Sequence, residues 1–217
     1  MGSTTNPAGM LQPSTLWGVY NNLRFIVQQM LADVQTATIV KVVACTNDGG
    51  LSPVGFVDVQ ILPNQVTGQM VATPHVTMYG LPYLRIQGGS NAVIIDPVKD
   101  DIGIAVFASR DITNVKSTKT QANPNSFRTH DFADGMYLGG LLNGVPTSYI
   151  QFTTAGINIT SPTKVTITAP TIALEGAVTM SQTLTVAEDA TANGISLDTH
   201  VHGGVATGGG ETGVPIP

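Results

Sequence analysis

The sequence predicts a mainly β protein with a single N-terminal helix, and three observations carry that reading. Charged residues make up only 11% of the chain while glycine occurs 24 times, a balance suited to short strands and tight turns rather than to amphipathic helices. From about residue 38 the apolar residues fall into short runs with strand-like patterning. From about residue 150 apolar residues recur in pairs two apart, the spacing that places side chains on one face of an extended chain.

The helix comes first. Leu16, Tyr20, Leu23, Val27, Met30 and Val34 are spaced 4, 3, 4, 3 and 4 apart, and Ser14 stands where an N-cap belongs, so residues 14–34 are expected to be helical. The same spacing is an a/d seam of a coiled coil. It spans under three heptads, and Trp17, Ile26 and Leu31 widen the apolar face, so packing against its own domain or a partner stands beside the coiled coil as the plainer reading. Residues 1–35 form this leader and helix. Asn21, Asn22, Arg24, Gln28 and Gln29 interrupt the most apolar stretch, and no basic region precedes an apolar core, so neither a signal peptide nor a membrane span is expected.

Residues 36–113 read as a small barrel. Thr38 to Cys45, Gly55 to Ile61, Tyr83 to Gln87, Ala92 to Ile95 and Ile102 to Ala108 are five strand-like runs; in the second, Val57, Val59 and Ile61 alternate with Asp58 and Gln60. Asn47-Asp48-Gly49-Gly50, Gly88-Gly89-Ser90-Asn91 and Asp96-Pro97 supply turns between them. A five-stranded OB-type barrel is the natural architecture, with an SH3-like barrel as the alternative. Polar residues Asn114 to Arg128 are expected to form an exposed loop between two domains, and residues 114–146 to be loop and connection.

Residues 147–195 carry the repeats. Ile157/Ile159, Val165/Ile167, Ile172/Leu174, Val178/Met180 and Leu184/Val186 start 8, 7, 6 and 6 residues apart, with Thr, Ser or Asn filling most alternate positions. One chain cannot bury such narrow stripes. Three chains wound about an axis can, pairing their strand edges as they do so, and the expectation is an intertwined homotrimeric β-helix shaft. A single-chain β-solenoid is the other way to stack such units, and five irregular units without a capping segment fit it less well.

Charge and side-chain inventory then exclude several functions. All nine Lys and Arg residues lie at or before Lys164, so residues 165–217, with Glu175, Glu188, Asp189, Asp198 and Glu211, hold the whole net charge of -5. With no basic surplus and 6% aromatic content, the barrel lacks the groove and stacking platforms of a single-strand binder, and no nucleic-acid partner is expected. Glycan-processing fibres need paired carboxylates on a larger solenoid, and this shaft offers only Glu175, Glu188 and Asp189. Asp96, Asp100 and Asp101 read as a solvated turn, His75 and His130 as surface or turn residues, Gly88-Gly89 as a turn, and lone Cys45 as a small core residue. No nucleophile motif is present, so no enzyme activity is expected.

Residues 196–217 hold the sharpest signal, Thr199-His200-Val201-His202-Gly203-Gly204. In extended chain His200 and His202 point the same way, and a threefold axis turns two imidazoles into six, a count that suits octahedral iron or another open-shell divalent ion better than four-coordinate zinc. Taken alone, His-x-His is also met where histidines merely accept hydrogen bonds. The tail Leu197-Asp198-Thr199-His200-Val201-His202-Gly203-Gly204 with Glu211-Thr212-Gly213-Val214-Pro215 resembles the apex of the central spike proteins of contractile phage tails. Asp96-Pro97-Val98-Lys99-Asp100-Asp101-Ile102-Gly103-Ile104-Ala105-Val106-Phe107, Ser109-Arg110-Asp111-Ile112 and Arg128-Thr129-His130-Asp131 are similar to that family's OB domain and its exit. The resemblance covers roughly residues 36 to 217. It implies a homotrimer whose N-terminal domain sits on a baseplate hub protein, whose shaft is β-helical, and whose tip holds one iron per trimer through His200 and His202 of three chains. It also implies a place at the tip of the virion's tail baseplate, after assembly in the host cytoplasm, and a mechanical role in puncturing the host outer membrane. A trimeric tail fibre, a glycan-processing protein and an OB-fold nucleic-acid binder are the alternatives.

Overall fold

The computed structural model describes residues 18–66, 71–204 and 208, and the chain divides into two units, Met1–Tyr149 and Ile150–Pro217. The first begins with helix α1 (Val19–Ala32), which follows Gly18 at φ 104° without a side-chain cap; Ser14, Leu16 and Trp17 lie outside the described residues. None of its residues is buried. Asn21, Phe25 and Gln29 form a half-buried line, whereas Val19, Tyr20, Leu23, Ile26, Val27, Met30 and Leu31 are exposed. The apolar face is therefore not packed on its own domain among the described residues.

A curled five-stranded sheet, a half-barrel, forms the core of this unit. Chain order runs through β1 (Ala37–Cys45), β2 (Phe56–Ile61), the short β3 (Gln65–Val66) and β4 (Ala72–Thr73), β5 (Thr77–Pro82), the hairpin strands β6 (Ile86–Gly88) and β7 (Asn91–Val93), β8 (Ile102–Phe107) and β9 (Gly135–Gly140). The sheet order is β5-β2-β1-β8-β9, all neighbours antiparallel. Its two edges approach each other through a parallel bridge between Tyr83 and Tyr137, where the Leu84 N–H donates to the Tyr137 carbonyl at 2.8 Å.

Alternation fills the inside. Val40 and Val42 of β1, Val57, Val59 and Ile61 of β2, Met78 and Leu81 of β5, Ala105 and Phe107 of β8, and Tyr137 of β9 are buried in one cluster with Tyr83. Val40 pairs with Ile61 and Val42 with Val59, so the predicted stripe of β2 faces the stripe of β1. Cys45 packs at the rim of this cluster, half-buried. Gly103 permits the close approach of β8 and β9: a Cβ there would lie 2.2 Å from the Gly139 carbonyl oxygen and 2.4 Å from the Tyr137 hydroxyl.

Two of the five expected sheet strands are corrected. The runs Tyr83 to Gln87 and Ala92 to Ile95 contribute instead to the separate β6–β7 hairpin, around a Gly89-Ser90 turn. Their places in the sheet go to β5, whose Gly80 and Pro82 blur its pattern, and to β9, with three glycines in six residues. The segment 114–146, expected to be loop and connection, thus supplies a sheet strand, along with helix α2 (Thr113–Thr118) and a 3-10 turn at Phe132–Asp134.

In the second unit, β10 (Tyr149–Thr153) pairs with β11 (Gly156–Thr160), and β12 (Thr191–Ala192) with β13 (Ile195–Ser196). No strand lies between residues 161 and 190. Among the described residues no helix is long and apolar enough to cross a membrane.

Candidate functional site

The C-terminal site is built on the β12–β13 hairpin. Its turn is Asn193-Gly194, both at positive φ (50° and 80°), the residue pair that a two-residue turn matched to strand twist demands. Leu197 N–H donates to the Ala190 carbonyl at 2.9 Å, and Asp198 N–H to the Asp189 carboxylate at 3.2 Å. Hydrogen bonds from Ser196 first, and from the Asp198 and Ala190 backbone and Thr191, hold the Asp189 carboxyl below the usual range against a smaller effect of burial. Thr199 then folds back, its N–H and hydroxyl each 3.0 Å from Ser196 Oγ. Two turns of local bonding therefore fix the chain that leads into His200.

His200 and His202 are exposed and lie together, ring centroids 5.1 Å apart and planes at 79°. His200 Nδ1 is 3.2 Å from the Leu197 carbonyl oxygen. A carbonyl can only accept, so that contact assigns the proton to Nδ1 and leaves Nε2 as the nitrogen with a lone pair, through which a neutral imidazole serves as a metal ligand. Among the described residues no three His, Cys, Asp or Glu side chains of one chain gather into a cation site. Most of the Gly-rich return after Gly204, and Glu211 to Pro215, lie outside the described residues.

Above the hairpin in sequence, the five apolar pairs are bare. Ile157, Ile159, Val165, Ile167, Ile172, Leu174, Val178, Met180, Leu184 and Val186 are all 45–69% exposed. Such a run of open apolar side chains, on backbone that after β11 has no strand partner within the chain until β12, is far more than a soluble surface leaves uncovered.

The remaining candidates take structural places, and one reading is corrected. Asp96 is not in a solvated turn: its side chain is 2% exposed and paired with Arg85, it accepts from the Tyr83 hydroxyl at 2.6 Å and from the Gly49 N–H at 3.0 Å, and Arg85 Nη1 donates to the Ser52 carbonyl at 2.7 Å. Burial pushes the Asp96 carboxyl up, but the Tyr83 and Arg85 hydrogen bonds outweigh it and hold the group below its ordinary value. The network ties the loops after β1 and β7 to the end of the sheet. Asp100, paired with Lys41 at 2.7 Å, and Asp101, accepting from Val98 N–H at 2.9 Å, do form an exposed turn. His75 packs edge-on against Phe132, and His130, at φ 50°, exchanges contacts with the Gln35 backbone.

Sequence reading missed two buried networks, this one and the grip of Arg128 on Asp111 and Asp134. Aspartates beside Pro, Ser and Arg carry a turn signal first, and only the fold shows that the turn is covered.

An exposed His-x-His thus follows a short hairpin, with a run of bare apolar pairs ahead of it in the chain. Residues 194–215 match the GpV Apex motif, a stretch that includes both histidines. The match points to a phage spike-tip protein, a structural tail component of the virion. No curated protein matches the chain.

Proposed function

We propose that the chain is one subunit of a homotrimeric, non-enzymatic central spike, which tips a contractile phage tail and punctures the host outer membrane mechanically. The observation that carries this reading is the stripe set of residues 157–186: ten exposed apolar side chains, the eight after Ile159 on a strand-free stretch, which burial against two further copies would cover. Interwound chains would also satisfy the backbone groups that no strand within the chain pairs.

The half-barrel is read as an OB-type domain seated on the baseplate hub protein. Support comes from the sheet order, with β1 between β2 and β8, and from the parallel approach of its edges at Tyr83 and Tyr137. At the other end, His200 and His202 of three chains would hold one iron ion through six imidazoles. Support comes from the two rings lying 5.1 Å apart and from the Leu197 contact, which engages Nδ1 of His200 and leaves its Nε2 to act as a ligand. Bound there, the ion would supply a structural crosslink, since six protein ligands leave no open position for chemistry. His200 and His202 would then tie the three chains together at one point.

Native mass and metal content, measured on one preparation, test the reading. Three chains and about one iron per trimer are expected; a monomer at micromolar concentration refutes it.

A further inference from the structure

We infer that helix α1 packs against the same helix of two other copies, as a short parallel coiled coil; this rests on the trimeric reading above. Within the helix Tyr20, Leu23, Val27 and Met30 are spaced 3, 4 and 3 apart, and all four are 45–74% exposed. This is the 3.5-residue period that supercoiling helices share. Val19, Ile26 and Leu31 flank the seam and are also exposed, while the half-buried line Asn21, Phe25 and Gln29 lies on the opposite side. The bare side is thus the a/d seam with its e and g flanks.

Area and charge favour a second and third copy as the occupant. Seven large apolar side chains at roughly 100 Å² each offer on the order of 700 Å² per chain, close to one partner's share of a standard stable interface. Arg24 is the single charged residue of the helix, so identical copies meet without a repulsive seam. Two heptads are too short to associate alone. Three helices tethered in one trimer meet at millimolar effective concentration, which removes that obstacle. Threefold symmetry makes the helices parallel and in register.

Cysteine crosslinking in the full chain tests this. In a Cys45→Ser background, Val27→Cys and Met30→Cys place thiols on the seam, and Gln28→Cys places one on the outer side. Mild oxidation should link chains in pairs at Val27 and Met30 at least tenfold faster than at Gln28, in protein of trimeric native mass. A trimer that crosslinks at position 28 as fast as on the seam, or at none of the three, overturns the coiled coil and leaves the face to a different protein such as the hub component. A monomeric mass would instead bring down the trimeric reading itself.

Discussion

Arg128 grips Asp134 with two arms of its guanidinium, Nε donating to Oδ2 at 2.6 Å and Nη2 to Oδ1 at 3.0 Å. Nη2 also lies 2.8 Å from Asp111 Oδ1 and donates to Thr113 Oγ1 at 2.9 Å. Both carboxylates are closed to solvent, and Ser126 donates to Asp111 Oδ2 at 2.7 Å. The excursion from Asp111 to Arg128 is therefore stapled at its base to the turn that starts β9.

This staple makes the sheet unit acid-sensitive in a defined window. Hydrogen bonding from Thr113 above all, helped by Ser126 and Arg128 and opposed by burial, lowers the Asp111 carboxyl from 3.8 to about 2. A depressed carboxyl stabilises the fold above its unfolded value, and that contribution is lost as pH falls through the folded value. Melting of the sheet unit should hold steady above about pH 5 and decline between about pH 4 and 2. Asp111→Asn should flatten that decline; an unchanged slope would remove Asp111 from the account.

Close approach of β8 to β9 depends on the missing side chain of Gly103. Gly103→Ala should destabilise the sheet unit by about 1–3 kcal/mol, since backbone rather than a flexible side chain must give way. Leu81→Ala, at a fully buried position, should cost about 2–5 kcal/mol. Denaturant unfolding reads both, and wild-type stability for Gly103→Ala would contradict the packing described.

A charge on the shaft stripe separates one chain from three. Ile172 is half exposed in the single chain, so Ile172→Asp should leave the sheet unit's melting unaltered. Around a threefold axis it would place three carboxylates together in an apolar interior, and the trimer should dissociate at least tenfold more readily. Sedimentation of the variant at trimeric mass, undiminished on dilution, would count against the wound shaft.

For the tip, chelator-free wild-type protein should contain about one iron per three chains. The His200→Ala, His202→Ala double variant should fall to background while its native mass stays trimeric, since the stripes rather than the tip are proposed to hold the chains. A metal-free wild-type trimer would exclude the proposed crosslink.

Much of this was legible in the chain itself. Period-two runs located β1, β2 and β8, and the inward set Val57, Val59 and Ile61 was readable because alternation is a local property of extended backbone. The helical repeat found α1 for the same reason. Asn193-Gly194 is as local a hairpin signal, but the sequence reading passed over it, and the structure places this turn ahead of the histidines.

Sequence by itself thus determined the mainly β class, the helix, and the spacing of the apolar pairs and of the two histidines, all of them patterns within a few residues of chain. Tertiary structure alone decided which strands share the sheet. β5 and β9 join it despite glycine-rich, poorly patterned segments, because long-range backbone pairing and close packing at Gly103 select them. It also decided that Asp96, Asp111 and Asp134 are buried, since a carboxylate can leave water only where distant donors such as Tyr83, Arg85 and Arg128 converge on it.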